Sequence, residues 1–162
     1  MKALCCVGIS LTLSTVMNNY EDGKPSYFAT PSSQLIRALH TSLKQILRLP
    51  LSSRFEDHKA ISKKVKKTVE ALGLRQLASS PANQANGMTA MYLPEGVIAR
   101  DLLKRILDKG FIMAGGLHRE IAGSYIRFGH MGVSVMNEDL GHIDKGLEAL
   151  KEALAGAGYK KV

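Results

Sequence analysis

Pro50, Gly73, Pro94, Gly110 and Gly156 each close a patterned segment, so this chain has to be built from short elements. Proline lacks a backbone N–H and clashes with a preceding helical turn. Glycine takes the left-handed backbone with which helices commonly end. Before these residues, apolar side chains recur at helical spacing. Leu35, Ile36, Leu39, Leu43, Ile46 and Leu47 predict a first helix, capped by Ser32 or Ser33 and stopped at Pro50. Ile61, Val65, Val69 and Leu72 predict a second over 54–72, and Ile98, Leu102 and Ile106 a third over 97–109. The most regular stripe is the last: Leu140, Ile143, Leu147, Leu150 and Leu154. Asn137 is placed to cap that helix, and Glu138 and Asp139 complement its dipole.

Short apolar runs separate the helices. Residues 88–93, closed by Pro94, and residues 111–113 and 125–128 read as strands, with a loop over 78–87. Residues 18–25 form a polar loop, and 26–31 are extended because the residue before Pro31 avoids the helical region. The order helix, helix, strand, helix, strand, strand, helix predicts a two-layer α+β domain. It would hold a short three-stranded sheet with helices on one face, behind a long connecting helix. The expected division is an unassigned apolar segment over 1–16, an extended segment and connecting helix over 17–50, and the compact small domain over 51–162.

The net charge of +8, from 22 basic and 14 acidic residues, suits an anionic partner. Part of it sits in Lys63, Lys64, Lys66 and Lys67, which read as a solvated helix face. No aromatic residue interleaves with these lysines, which argues against nucleic acid. The adjacent Cys5 and Cys6 give neither a disulfide framework nor zinc spacing, and favour a reducing compartment. His40, His58, His118, His130 and His142 form no metal pattern. His118 and His130 flank the 125–128 strand and are placed to line a pocket, but the plainer surface role is expected of both. Nucleophile-elbow, dinucleotide and phosphate-loop motifs are absent. The start, Met1-Lys2 followed by an apolar run, has the outline of a secretory signal. The run is too short and too rich in Ser and Thr to cross a membrane, and reads as a buried or adventitious segment.

Two places could carry chemistry. In a strand over 125–128, Tyr125 and Arg127 face one way and Ile126 and Phe128 the other. A guanidinium fork binds a carboxylate through two parallel hydrogen bonds, and the nearby Gly115 and Gly116 let a ligand approach the backbone. The plainer reading is a solvent-facing arginine satisfied by water or Glu120. The second place is residues 26–31, where hydroxyls and amides ahead of a helix start suit an anion, typically phosphate. Its plainer reading is a capping turn with a packed tyrosine.

In three runs the chain resembles the alanine–glyoxylate (serine–pyruvate) aminotransferases of class V, fold-type I: NNYEDGKPSYFATP at 18–31, MYLPEGVIARDLLKRILDKGFIMAGGL at 91–117 and YIRFGHMG at 125–132. The resemblance covers roughly 17–162 and points to their C-terminal small domain. It implies that Arg127 holds the α-carboxylate of an amino-acid or oxo-acid substrate. Gly115 and Gly116 would lie beside the substrate entrance. Tyr27 and Thr30 would reach the phosphate of pyridoxal 5'-phosphate in the neighbouring subunit of a homodimer. The reaction implied moves an amino group from alanine or serine to glyoxylate, forming glycine. No membrane or nucleic-acid partner is implied. The compartment implied is peroxisomal, mitochondrial or cytosolic, although the ending Tyr-Lys-Lys-Val is not the Ser-Lys-Leu address. Only 26 residues precede Tyr27, Ser32-Ser33 stands where the family usually has Pro-Val, and nothing matches the Schiff-base lysine motif. These departures predict a fragment that lacks the large domain, has no catalytic residue of its own and is inactive alone. The rival expectations are a non-enzymatic basic α+β module for an acidic protein or nucleic acid, and a remnant without activity whose exposed apolar face makes it self-associate.

Overall fold

A computed structural model describes residues 14, 17–25 and 32–160. These fall into two units that divide between Arg48 and Leu49. The first unit holds α1 (Ser33–Ile46), whose N-terminus is closed by Ser32 Oγ accepting from the Leu35 N–H at 3.4 Å. The expected stripe is present, yet α1 buries no residue: Leu35, Ile36, Leu39 and Leu43 are all exposed.

The second unit contains α2 (Leu51–Ala71), β1 (Met88–Tyr92), α3 (Ala99–Asp108), β2 (Ala114–Gly115), β3 (Tyr125–Gly129), α4 (Val133–Met136) and α5 (His142–Gly156). The strands form one antiparallel sheet in the order β1-β3-β2. Residues 75–77 lengthen it along the free edge of β1, with Leu77 N–H donating to the Ala90 carbonyl and Tyr92 N–H to the Arg75 carbonyl. The core lies on one side of this sheet. Met91, Ile126 and Phe128 meet Val65 and Val69 of α2, Leu102 and Ile106 of α3, and Ile143, Leu147, Leu150 and Leu154 of α5. This is the two-layer α+β arrangement expected, with the helices on one face.

Three helices end alike. The N–H groups of Gly73, Gly110 and Gly158, and of the residue after each, turn back to carbonyls of the last helical turn. All three glycines have φ between +77° and +85°, which a side chain would resist. Gly158, not Gly156, is therefore the cap of α5; Gly156 is its last helical residue.

Several boundaries differ from expectation. α2 begins at Leu51, three residues before Arg54, because Pro50 already carries φ −55° and its carbonyl accepts the Arg54 N–H. α3 begins at Ala99, so Ile98 precedes the helix and is exposed. Residues 111–113 are not a strand. Phe111 N–H is used to close α3 on the Ile106 carbonyl, Ile112 is 88% exposed, and pairing starts only at Ala114, opposite Arg127. Asn137 does not cap α5. It lies between the short α4 and a 3-10 turn over Glu138–Leu140, and α5 starts after Gly141. Leu140 thus stands outside the helix whose stripe it seemed to extend.

Candidate functional site

On the face of the sheet away from the core, Arg127 is bordered across the strands by small residues, with Tyr92 and Tyr125 further along. Arg127 sits on the central strand, with Ala90 opposite on β1 and Ala114 opposite on β2. Neither neighbour has a side chain long enough to cover a guanidinium. Arg127 Nε–H donates to the Gly115 carbonyl at 2.8 Å. That bond engages Nε and leaves the two terminal nitrogens outside it. No carboxylate among the described residues pairs with Arg127. The partner expected under the plainer reading, Glu120, does not reach it.

Gly115 and Gly116 do different things. Gly115 pairs with Ile126, and a Cβ built on it would meet Leu103 at 3.7 Å, on the core side of the sheet. Its contribution to the arginine face is its carbonyl. Gly116 has no room for a side chain: a Cβ there would stand 2.5 Å from the Tyr125 ring and 2.6 Å from the Ala122 carbonyl oxygen.

Tyr125 shares the strand face of Arg127, as the alternation predicts. Its ring is 4% exposed, and its hydroxyl oxygen accepts from the Leu117 N–H at 2.8 Å and the His118 N–H at 3.1 Å. These two donors hold the phenol below the usual tyrosine range, with the charge of Arg127 adding a smaller pull in the same direction. The sequence singled Tyr125 out only as Arg127's neighbour. Its grip on the loop depends on a fold in that loop which no local pattern announces.

The two histidines near the strand part company. His118 is exposed, and its Nδ1 accepts from the Glu120 N–H at 3.4 Å. His130 is fully buried, which corrects the surface role expected for it. Its N–H donates to the Gly87 carbonyl, its Nε2 pairs with Thr89 Oγ1 at 2.8 Å, and Phe128 stands edge-on to its ring. Its Nδ1 makes no hydrogen bond among the described residues. Burial, above all, holds its pKa below the usual 6.5, and the charges of Lys66 and His58 push the same way. Below pH 6.5 the unfolded chain therefore takes up a proton that the folded chain refuses. Stability should fall as pH drops from 6.5 through the folded-state pKa of His130. His130→Gln should flatten that slope, as read from urea midpoints between pH 7.5 and pH 5.

The lysine stretch does not form one basic stripe. Lys64 pairs with Asp144 at 2.6 Å, and Lys66 donates to the Ala85 carbonyl at 2.9 Å; Lys63 and Lys67 are exposed. Lys66 also lines a hollow of about 320 Å³, with Gln76, Asn83 and Gln84 among its walls. A seat for pyridoxal phosphate needs a lysine amine, and this hollow has one. It does not fit. No carboxylate lines the hollow to meet a pyridine nitrogen, and Arg127 is not among the walls. Tyr27 and Thr30 lie outside the described residues, as does most of the apolar segment 1–16. Among the described residues no cluster of His, Cys, Asp or Glu could hold a metal, and no helix is long and apolar enough to cross a membrane.

Comparison with known proteins follows the same outline. No protein-family model matches the chain. It is 38% identical over 141 residues to alanine–glyoxylate aminotransferase 1 of Saccharomyces cerevisiae, covering 86% of this chain and 36% of that protein. It is 30% identical over 104 residues to serine–glyoxylate aminotransferase of Hyphomicrobium methylovorum, covering 64% of this chain and 26% of the relative. The crystal structure of pyridoxamine–pyruvate aminotransferase from Mesorhizobium loti superposes with a TM-score of 0.75 at 29% identity, covering 85% of this chain and 34% of that one. The chain spans about a third of the length of the relatives it matches. Its relatives by sequence are alanine–glyoxylate and serine–glyoxylate aminotransferases, and its fold is the one found in the solved aminotransferase it superposes on.

Proposed function

We propose that this chain is the C-terminal small domain of a pyridoxal-phosphate transaminase that moves an amino group from alanine or serine to glyoxylate, and that Arg127 is its clamp for the substrate carboxylate. One observation carries the reading. An arginine on the central strand is fixed at Nε by a backbone carbonyl, is flanked by two alanines, and pairs with no carboxylate among the described residues. A guanidinium held in this way presents its terminal N–H groups to a planar anion without first reorganising. Amino and oxo acids share such an anion in their α-carboxylate. The hollow beside Lys66 offers the cofactor no ring partner, and in this reading the chemistry that the cofactor provides, storage of the substrate's electron pair, draws on residues of a large domain. In this reading Tyr27 and Thr30 contribute to the phosphate site of a partner subunit in a homodimer, and the chain alone is inactive.

The test is a chimera in which residues 17–162 replace the matching third of the yeast relative. Losing a charge-assisted hydrogen-bonded contact of about 1.5–3 kcal/mol corresponds to roughly 10- to 100-fold. Arg127→Gln should raise KM for glyoxylate by about that factor. An unchanged KM in a folded, active chimera removes Arg127 from the site. Borohydride reduction of the isolated chain with pyridoxal phosphate should give no stoichiometric adduct on a single lysine.

A further inference from the structure

We infer that Tyr125 is a positioning residue for Arg127, acting through the loop that follows β2; its functional meaning rests on the role proposed for Arg127. Two side chains of one strand, two residues apart and on the same face, grip two points of the same short loop. Arg127 Nε–H donates to the Gly115 carbonyl at 2.8 Å. Two residues further on, the Leu117 and His118 N–H groups donate to Tyr125 Oη at 2.8 and 3.1 Å. Between these points Gly116 lies flat against the Tyr125 ring, too close for any side chain. The chain leaving β2 is therefore wrapped around one buried tyrosine.

This matters for the arginine because of what else holds the loop. β2 has only two residues, so its ladder pins Ala114 and Gly115 and nothing beyond. The peptide after Gly115, whose carbonyl receives Arg127, has no ladder partner on its far side. Leu117 is 75% exposed and offers no packing of its own. The other internal bonds of the loop, Glu120 N–H to His118 Nδ1, Ile121 N–H to the His118 carbonyl, and Ser124 N–H and Oγ–H to the Ile121 carbonyl, close its far half and do not reach Gly115. Tyr125 Oη thus supplies the two hydrogen bonds that fix where the Gly115 carbonyl points. A loosened carbonyl frees the guanidinium to rotate, and a rotated guanidinium no longer presents its two terminal nitrogens in the plane of an incoming carboxylate.

Tyr125→Phe removes the acceptor and keeps the ring, so the wall behind Gly116 survives. The first measurement is hydrogen exchange by ¹⁵N NMR on the full chain. In the wild type, Arg127 Nε–H and the Leu117 and His118 amides should be protected. In the variant, Arg127 Nε–H should exchange at least tenfold faster, while the Ile126 and Phe128 amides keep their protection and show that the sheet is intact. Loss of protection at Leu117 and His118 with Arg127 Nε–H unchanged would overturn the inference, leaving Tyr125 a mere loop anchor. A wild-type Arg127 Nε–H without protection would overturn it as well. The second measurement is alkaline titration of tyrosine absorbance. The wild type should contain a tyrosine titrating below the ordinary range that the variant lacks; its absence would contradict the double acceptor.

In the yeast chimera, Tyr125→Phe should raise KM for glyoxylate about three- to tenfold, a partial loss of oriented contact, with kcat within twofold. An equal fall in kcat with unchanged KM would contradict a positioning role. The exchange measurement needs no activity. If Arg127→Gln leaves KM unchanged while the exchange result holds, the transaminase role of Arg127 fails and the coupling between Tyr125 and Arg127 stands.

Discussion

Gly116→Ala is expected to destabilise the chain by about 3 kcal/mol or more, whereas Gly115→Ala, one residue earlier, should change stability by less than about 1 kcal/mol. Forcing an extra methyl into packed surroundings costs roughly 1–3 kcal/mol when neighbours can shift. At Gly116 they have nowhere to go. The new Cβ would lie 2.5 Å from a ring carbon of Tyr125, 2.6 Å from the Ala122 carbonyl oxygen and 2.8 Å from the Ala122 Cα. Two of these three obstacles are backbone. The third is a buried ring that cannot retreat without giving up its bonds to Leu117 and His118. At Gly115 the added methyl meets only Leu103 Cδ1, at 3.7 Å, an ordinary contact with a flexible side chain. The backbone there has no positive φ, so alanine fits, and the lost freedom of the unfolded chain can offset a small strain. Urea midpoints of the two variants decide the matter. A Gly116→Ala chain within about 0.5 kcal/mol of the wild type would show that the loop does not wrap Tyr125 as described.

The contrast between these two glycines also marks how far the sequence could be read. Side-chain periodicity reports which face of an element meets a core, and here it identified Val65 and Val69, Leu102 and Ile106, and the run from Ile143 to Leu154. It also separated Ile126 and Phe128 from Tyr125 and Arg127, because a strand alternates without regard to its neighbours. Periodicity does not report where chain ends turn. Phe111, Ile112 and Met113 are as apolar as a strand, yet the hydrogen bonds that end α3 consume the first of them. Leu140 fits the stripe of α5 in spacing, but Gly141 at φ +62° breaks the helix between them. His130 looked like a surface residue because a histidine in a glycine-bracketed turn usually is one. Its burial depends on Thr89, forty-one positions away, standing opposite Phe128 on the core side of β1. In the same way Gly115 and Gly116 read as one small-residue pair, and only the paired register shows that one lends a carbonyl and the other a space.

The arginine strand should separate cleanly into a face that holds the fold and a face that does not. Ile126→Ala is expected to cost about 2–5 kcal/mol, the range for deleting buried aliphatic carbons and leaving a cavity. Ile126 is fully buried, stands opposite Met91, itself fully buried, and belongs to the cluster that joins the sheet to α2, α3 and α5. Arg127→Gln, on the adjacent residue, removes one hydrogen bond to a half-buried carbonyl, worth about 0.5–1.5 kcal/mol. Its alanine neighbours make little contact with it to lose. The unfolding midpoint of the full chain should therefore drop steeply for Ile126→Ala and little for Arg127→Gln, the reverse of their ranking in substrate binding by the chimera. That reversal is what distinguishes a guanidinium kept for a ligand from one kept for the fold. A loss of stability at Arg127 as large as at Ile126 would place the guanidinium in the structural framework, and the carboxylate clamp would lose its physical basis.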